Sequence, residues 1–133
     1  GLAVLLTQTN RKQEAFDLLA NWGKDRPHLA DPEVELARLY QESGDEPAAR
    51  KHLEQACSID RNHPRAWKAL AALNDSQGNT ELALAQYQRS YILDNHQTEL
   101  ATRIASLNQQ LRNSSTEAAN TRMANENVSR GRY

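Results

Sequence analysis

The sequence predicts an all-α chain built as a helical-hairpin solenoid, with one helix pair copied side by side. Three observations carry this. Ala3, Ala37, Ala71 and Ala105 recur every 34 residues. Leu5, Leu39, Leu73 and Leu107 keep the same phase, as do Leu2, Leu36, Leu70 and Ile104. Ala15, Ala49 and Ala83 form a further column within the period. A fixed period of this length, with apolar spacings of three and four inside it, marks a stacked array of helix pairs. Small residues are needed where two helices touch, and branched apolar ones where layers pack.

The elements follow in order. Leu2 to Gln8 reads as the end of a helix, and Thr9-Asn10-Arg11 is expected to break it. Lys12 to Gly23 reads as a helix with Ala15, Phe16, Leu18, Leu19 and Trp22 at helical spacing. Gly23 suits its end and Pro27 follows. Asp31-Pro32-Glu33 is expected to start the next helix, with Asp31 capping free N–H groups and Pro32 in the first turn. Leu36, Leu39 and Tyr40 form its apolar stripe. Gly44-Asp45 turns the chain, and Pro47 opens a partner helix carrying Ala49, Leu53, Ala56 and Ile59. The copy from Pro64 to Gln97 holds Trp67, Leu70, Ala71 and Leu73, then the Gly78-Asn79 turn, then Leu82, Ala83, Tyr87 and Leu93. Gly-Asn readily adopts positive φ. A last periodic helix is expected from Thr98 to Arg112, with Leu100, Ile104, Leu107 and Leu111 on one face.

The divisions are therefore a truncated first repeat at 1–29, whole repeats at 30–63 and 64–97, a closing helix at 98–112 and a tail at 113–133. The polar C-terminal tail is rich in Asn, Ser, Thr, Ala and Arg, which predicts a flexible or marginally helical segment. Its arginines, Arg122, Arg130 and Arg132, fit a disordered tether better than a segment that folds on a partner. No alternating strand pattern occurs.

Composition narrows the function. Apolar residues make up 38% of the chain, which a solenoid tolerates because each repeat packs only on its neighbours. The net charge of −1 argues against a nucleic-acid or membrane-surface binder. No run approaches the roughly 20 apolar residues of a membrane span. The chain starts at Gly1 inside the periodic pattern, so it reads as a piece of a longer protein. Cys57 is the only cysteine, which excludes an internal disulfide and fits a small, partly buried apolar residue on a helix. His28, His63 and His96 recur in equivalent turns, too dispersed for one metal, and His52 has no ligand partner at metal-site spacing. No phosphate-cradling loop or nucleophile elbow is present. The expectation is no enzyme, no metal and no cofactor.

The best-preserved copy resembles a tetratricopeptide repeat: Trp67, Leu70-Ala71, Gly78, Ala83 and Tyr87 fill that family's pattern in order. Leu36-Ala37, Tyr40, Gly44, Ala49, Leu53 and Ala56 match in the copy before it, and Leu2-Ala3, Ala15, Leu19 and Pro27 match in the first. The resemblance covers about residues 1–112. It departs from the pattern at Glu33, Arg61 and Asn95, where an aromatic and two prolines are usual. It implies a right-handed superhelix whose concave face is lined by the first helix of each pair and binds an extended peptide or helix of a partner protein.

Spacing locates that face. Opposite the packing stripe lie Asp31, Val34, Glu35, Arg38 and Glu42, then Arg65, Lys68, Ala69, Ala72 and Asp75, then Glu99, Thr102, Arg103, Ser106 and Gln110. The candidate groove is Val34, Glu35, Arg38, Glu42, Arg65, Lys68, Ala72, Asp75, Thr102 and Arg103. Two readings of its cations compete: acceptors for acidic groups of a partner, or solvated residues balanced by Glu35, Glu42 and Asp75. Family members that clamp chaperone C-termini use Lys, Asn and Arg there. Val34, Glu35, Arg38, Ala69 and Ala72 disfavour that ligand. The leading function is a protein–protein interaction scaffold. The alternative is a recruitment or regulatory segment of a larger enzyme. Self-association through the apolar flank of Leu2, Val4 and Leu6 is a third reading.

Overall fold

The computed structural model describes the backbone of residues 2–130 and the side chains of residues 10–125. Six helices follow one another: α1 (Leu2–Asp25), α2 (Asp31–Glu42), α3 (Glu46–Ile59), α4 (Pro64–Ser76), α5 (Thr80–Leu93) and α6 (Thr98–Arg130). Among the described residues there is no strand. Helices α2 and α3 form one hairpin, and α4 and α5 form the next. Each helix packs chiefly on its sequence neighbours, which makes the array quasi-one-dimensional.

Two glycines make the hairpins. Gly44 and Gly78 both have φ of +81°, and no other described residue has positive φ. Each reversal is tied by an equivalent bond: Asp45 N–H to Tyr40 C=O at 2.8 Å, and Asn79 N–H to Asn74 C=O at 2.9 Å. This is the left-handed C-terminal cap that glycine adopts without a Cβ penalty. On the far side, the Asp45 carboxylate accepts from Ala48 N–H at 3.2 Å and starts α3.

The same column explains two departures from expectation. Asn10 stands 34 residues before Gly44, and Arg112 stands 34 after Gly78. Neither is glycine, and both keep helical backbone. The break expected at Thr9-Asn10-Arg11 is absent, and α1 runs straight through it. The helix expected to end at Arg112 continues to Arg130. Every described side chain from 112 to 125 is exposed. Asp31 also differs from expectation. It is the first helical residue of α2 rather than its cap, and Ala30 precedes it with no side-chain cap bond. Its carboxylate instead accepts from His63 Nε2 at 2.6 Å, while His63 Nδ1 accepts from Ala66 N–H at 3.1 Å and caps α4.

The alanine columns occupy the helix contacts. Ala37, Ala49, Ala71 and Ala83 are all buried, the last three completely. One core cluster spans α2, α3 and α4 around Leu53, Ala56, Cys57 and Leu70. A second spans α4, α5 and α6 around Ala71, Ala83, Tyr87 and Leu107. A buried polar hub joins three helices. Asn74 donates to Gln86 Oε1 at 2.7 Å and accepts from Arg50 Nη1 at 2.6 Å, and Arg50 also donates to Gln77. No buried side-chain polar atom among the described residues lacks a partner. Trp67 is half-buried against the first cluster. Its indole N–H donates to Arg61 C=O at 2.8 Å, and Arg89 lies 4.9 Å over its ring.

Two stability predictions follow from this packing. Ala83→Leu has no room at a closed helix contact and lowers unfolding free energy in urea by about 1–3 kcal/mol. Asn74→Leu leaves the Gln86 amide and the Arg50 guanidinium short of a partner, and costs about 1–3 kcal/mol in the same titration.

Candidate partner-binding face

The first helix of each pair, α2, α4 and then α6, presents one exposed edge. Arg38 and Glu42 are exposed on α2, with Glu35 half-buried beside them. Arg65, Lys68 and Ala72 are exposed on α4, with Asp75 half-buried at its end. Thr102 and Arg103 are exposed on α6. Val34 does not belong to this edge. It is buried in the cluster that also holds Ala66 and Leu70, because α2 is packed on more than one side. Ala69 is half-buried against the same core.

Ion pairs stitch the edge together. Arg38 bonds Glu35 and Glu42 along α2, each at 3.0 Å. Arg65 reaches from α4 to Glu35 at 2.8 Å. Arg103 reaches from α6 and grips Asp75 with two bonds, at 2.6 and 2.7 Å. The Tyr87 hydroxyl donates to the same carboxylate at 3.3 Å. Direct hydrogen bonding from Arg65 holds the Glu35 carboxyl below its ordinary value, and the Arg103 fork does the same to Asp75. Burial pushes the Tyr87 phenol up.

Three of the four candidate cations are therefore already matched by carboxylates of this chain. Lys68 has no ion pair among the described residues. The cross-helix pairs join residues 28 and 30 apart. Such offsets give no local sequence signal, and the polar contacts of Tyr87 and Arg50 lack one for the same reason.

Elsewhere, His52 Nδ1 donates to Glu33 at 2.5 Å and its ring stacks on Tyr40 at 5.2 Å. Among the described residues, no three His, Cys, Asp or Glu side chains gather as metal ligands would. Cys57 is buried, and burial pushes its thiol up to about 11, which keeps it in the unreactive form at neutral pH. No described helix is long and apolar enough to cross a membrane. The flank of Leu2, Val4 and Leu6 lies outside the residues whose side chains are described.

Residues 33–73 match the model of the tetratricopeptide repeat family. Two human proteins, RANBP2-like and GRIP domain-containing proteins 1 and 2, are each 35% identical over 72 residues, 54% of this chain. The chain spans only 4% of the length of either. Among solved structures, a thermophilic tetratricopeptide repeat protein of Thermus thermophilus is 26% identical with a TM-score of 0.63, covering 74% of this chain and 50% of that one. The first such domain of Spaghetti (RPAP3), bound to the HSP90 peptide SRMEEVD, is 18% identical with a TM-score of 0.67, covering 80% and 84%. The Sgt2 domain of Aspergillus fumigatus is 15% identical with a TM-score of 0.67, covering 83% and 74%. Period, stacked hairpins and these likenesses agree: residues 33–73 match the tetratricopeptide repeat model, and the chain shares the fold of the solved tetratricopeptide repeat structures.

Proposed function

We propose that this chain is a non-enzymatic interaction scaffold whose working units are the hairpins at 30–63 and 64–97. A segment of a partner protein lies across the exposed edges of α2, α4 and α6. One observation carries the reading. Arg65–Glu35 and Arg103–Asp75 join successive first helices, so their outer edges form one continuous strip. The relative bound to SRMEEVD supports a peptide as the class of ligand.

The strip itself argues against an acidic peptide of that kind. Its arginines are matched by Glu35, Glu42 and Asp75, so a carboxylate must displace an existing bond to gain a new one. Exchanges of this sort return little net free energy in exposed pairs. The open ground is Lys68 and Ala72, one helical turn apart on α4. A partner side chain fits over Ala72, with one acceptor aimed at Lys68. Catalysis, if the intact protein performs any, belongs to a region outside this chain. That is the second reading, of a recruitment segment in a larger enzyme.

Two outcomes are expected. Calorimetry with the peptide SRMEEVD shows no saturable heat, whereas saturable binding would mean that the paired arginines exchange freely. After affinity capture of a partner, Lys68→Glu with Ala72→Glu weakens its binding by about tenfold or more. Glu54→Lys, at an exposed position on α3 outside the strip, binds as the parent does. Equal binding by all three proteins would remove the strip from the account.

A further inference from the structure

The two straight helices leave matching faces open at opposite ends of the array. In α4, Leu70, Ala71 and Asn74 are buried, the last two fully. The residues 34 positions later on α6 are Ile104, Ala105 and Asn108. Ile104 and Asn108 are only half-buried, and Ala105 is exposed. In α4 that face is covered by α5, its hairpin partner. Asn74 donates to Gln86 at 2.7 Å, and in the preceding hairpin Tyr40 stacks on His52 at 5.2 Å. Helix α6 does not reverse at Arg112, so among the described residues no hairpin partner returns to it. What remains is an apolar groove between α5 and α6, lined by Tyr91, Ile92, Ala101, Ile104 and Ala105. Ile92 is 81% exposed at its edge.

Helix α1 has the complementary deficit. Its Ala15, Leu18 and Leu19 stand in the columns of Ala49, His52 and Leu53, and of Ala83, Gln86 and Tyr87. Those columns face the first helix of their own hairpin, as the His52 and Gln86 contacts show. Because α1 continues straight through Asn10, no first helix among the described residues folds back on it. Ala15 and Leu19 are half-buried, whereas Ala83 is fully buried and Leu53 nearly so. Leu18 is 71% exposed.

We propose that the α5–α6 groove is a socket for the Lys12–Gly23 stretch of α1 from a second copy of this chain. The two helices then form between chains the hairpin contact that α4 and α5 form within one. Ala15 meets Ala105, as Ala83 meets its partner helix, and Leu18 lies over Ala101 and Asn108. The straight extensions, α1 before Asn10 and α6 after Arg112, leave the same end of this joint and run antiparallel. The interface is heterologous, so each copy offers one socket and one plug, and association proceeds head to tail.

Sedimentation velocity of the full chain tests this. The weight-average mass rises with concentration. Leu18→Glu and Ala105→Glu alter exposed positions, so circular dichroism and thermal melting stay as in the parent. Each substitution raises the apparent dissociation constant by about tenfold or more by placing a charge in an apolar joint. The decisive arm is an equimolar mixture of the two variants. Leu18→Glu keeps its socket and Ala105→Glu keeps its plug, so the mixture forms a one-to-one dimer and goes no further. A chain that stays monomeric overturns the proposal. Association that Leu18→Glu leaves intact also overturns it, and would assign the groove to a different helix.

Discussion

Two glycines at positive φ determine which helices of this chain pair with each other. At Gly44 and Gly78 the backbone enters the left-handed region, and the next helix folds back on the one before. Any residue with a Cβ pays about 1 kcal/mol or more to do the same. The same column holds Asn10 and Arg112, and there the helix simply continues. The central hairpins are thus closed and the terminal helices are open. Burial follows this division. The alanine columns are sealed at α2 through α5 and incompletely covered at α1 and α6.

The exposed strip inherits its order from those reversals. Because α3 and α5 return behind their partners, the next first helix always arrives alongside the previous one. That alignment brings Arg65 to Glu35 and Arg103 to Asp75. The pairs are partly solvated and add little to stability. They neutralise most of the charge along the strip, and under the proposed function they leave Lys68 and Ala72 as the uncommitted ground. The strip and the terminal faces are separate surfaces.

Much of this was legible in the residues. The 34-residue columns named the helix contacts, and Gly44 and Gly78 named the turns. Cys57 was expected to be partly buried on a helix, and the packing of α3 buries it. The rest was hidden for physical reasons. Val34 sits on the edge opposite the apolar stripe by helical spacing, yet neighbours on several sides narrow the exposed edge of α2 and bury it. Thr9-Asn10-Arg11 looked like a break because Thr9 and Asn10 are weak helix formers, but without glycine in the column the helical ladder is kept. Cross-helix partners such as Asp75 and Arg103 depend on how hairpins stack, which no local spacing encodes.

The account rests on where the backbone reverses, and carbon-13 secondary chemical shifts along the chain report that residue by residue. They are predicted to stay helical without interruption through Asn10 and Arg112, and to break at Gly44 and Gly78. Coil-like values at Asn10 or Arg112 would mean that a terminal helix folds back after all. The open faces, and the division between closed and open hairpins, would then be wrong.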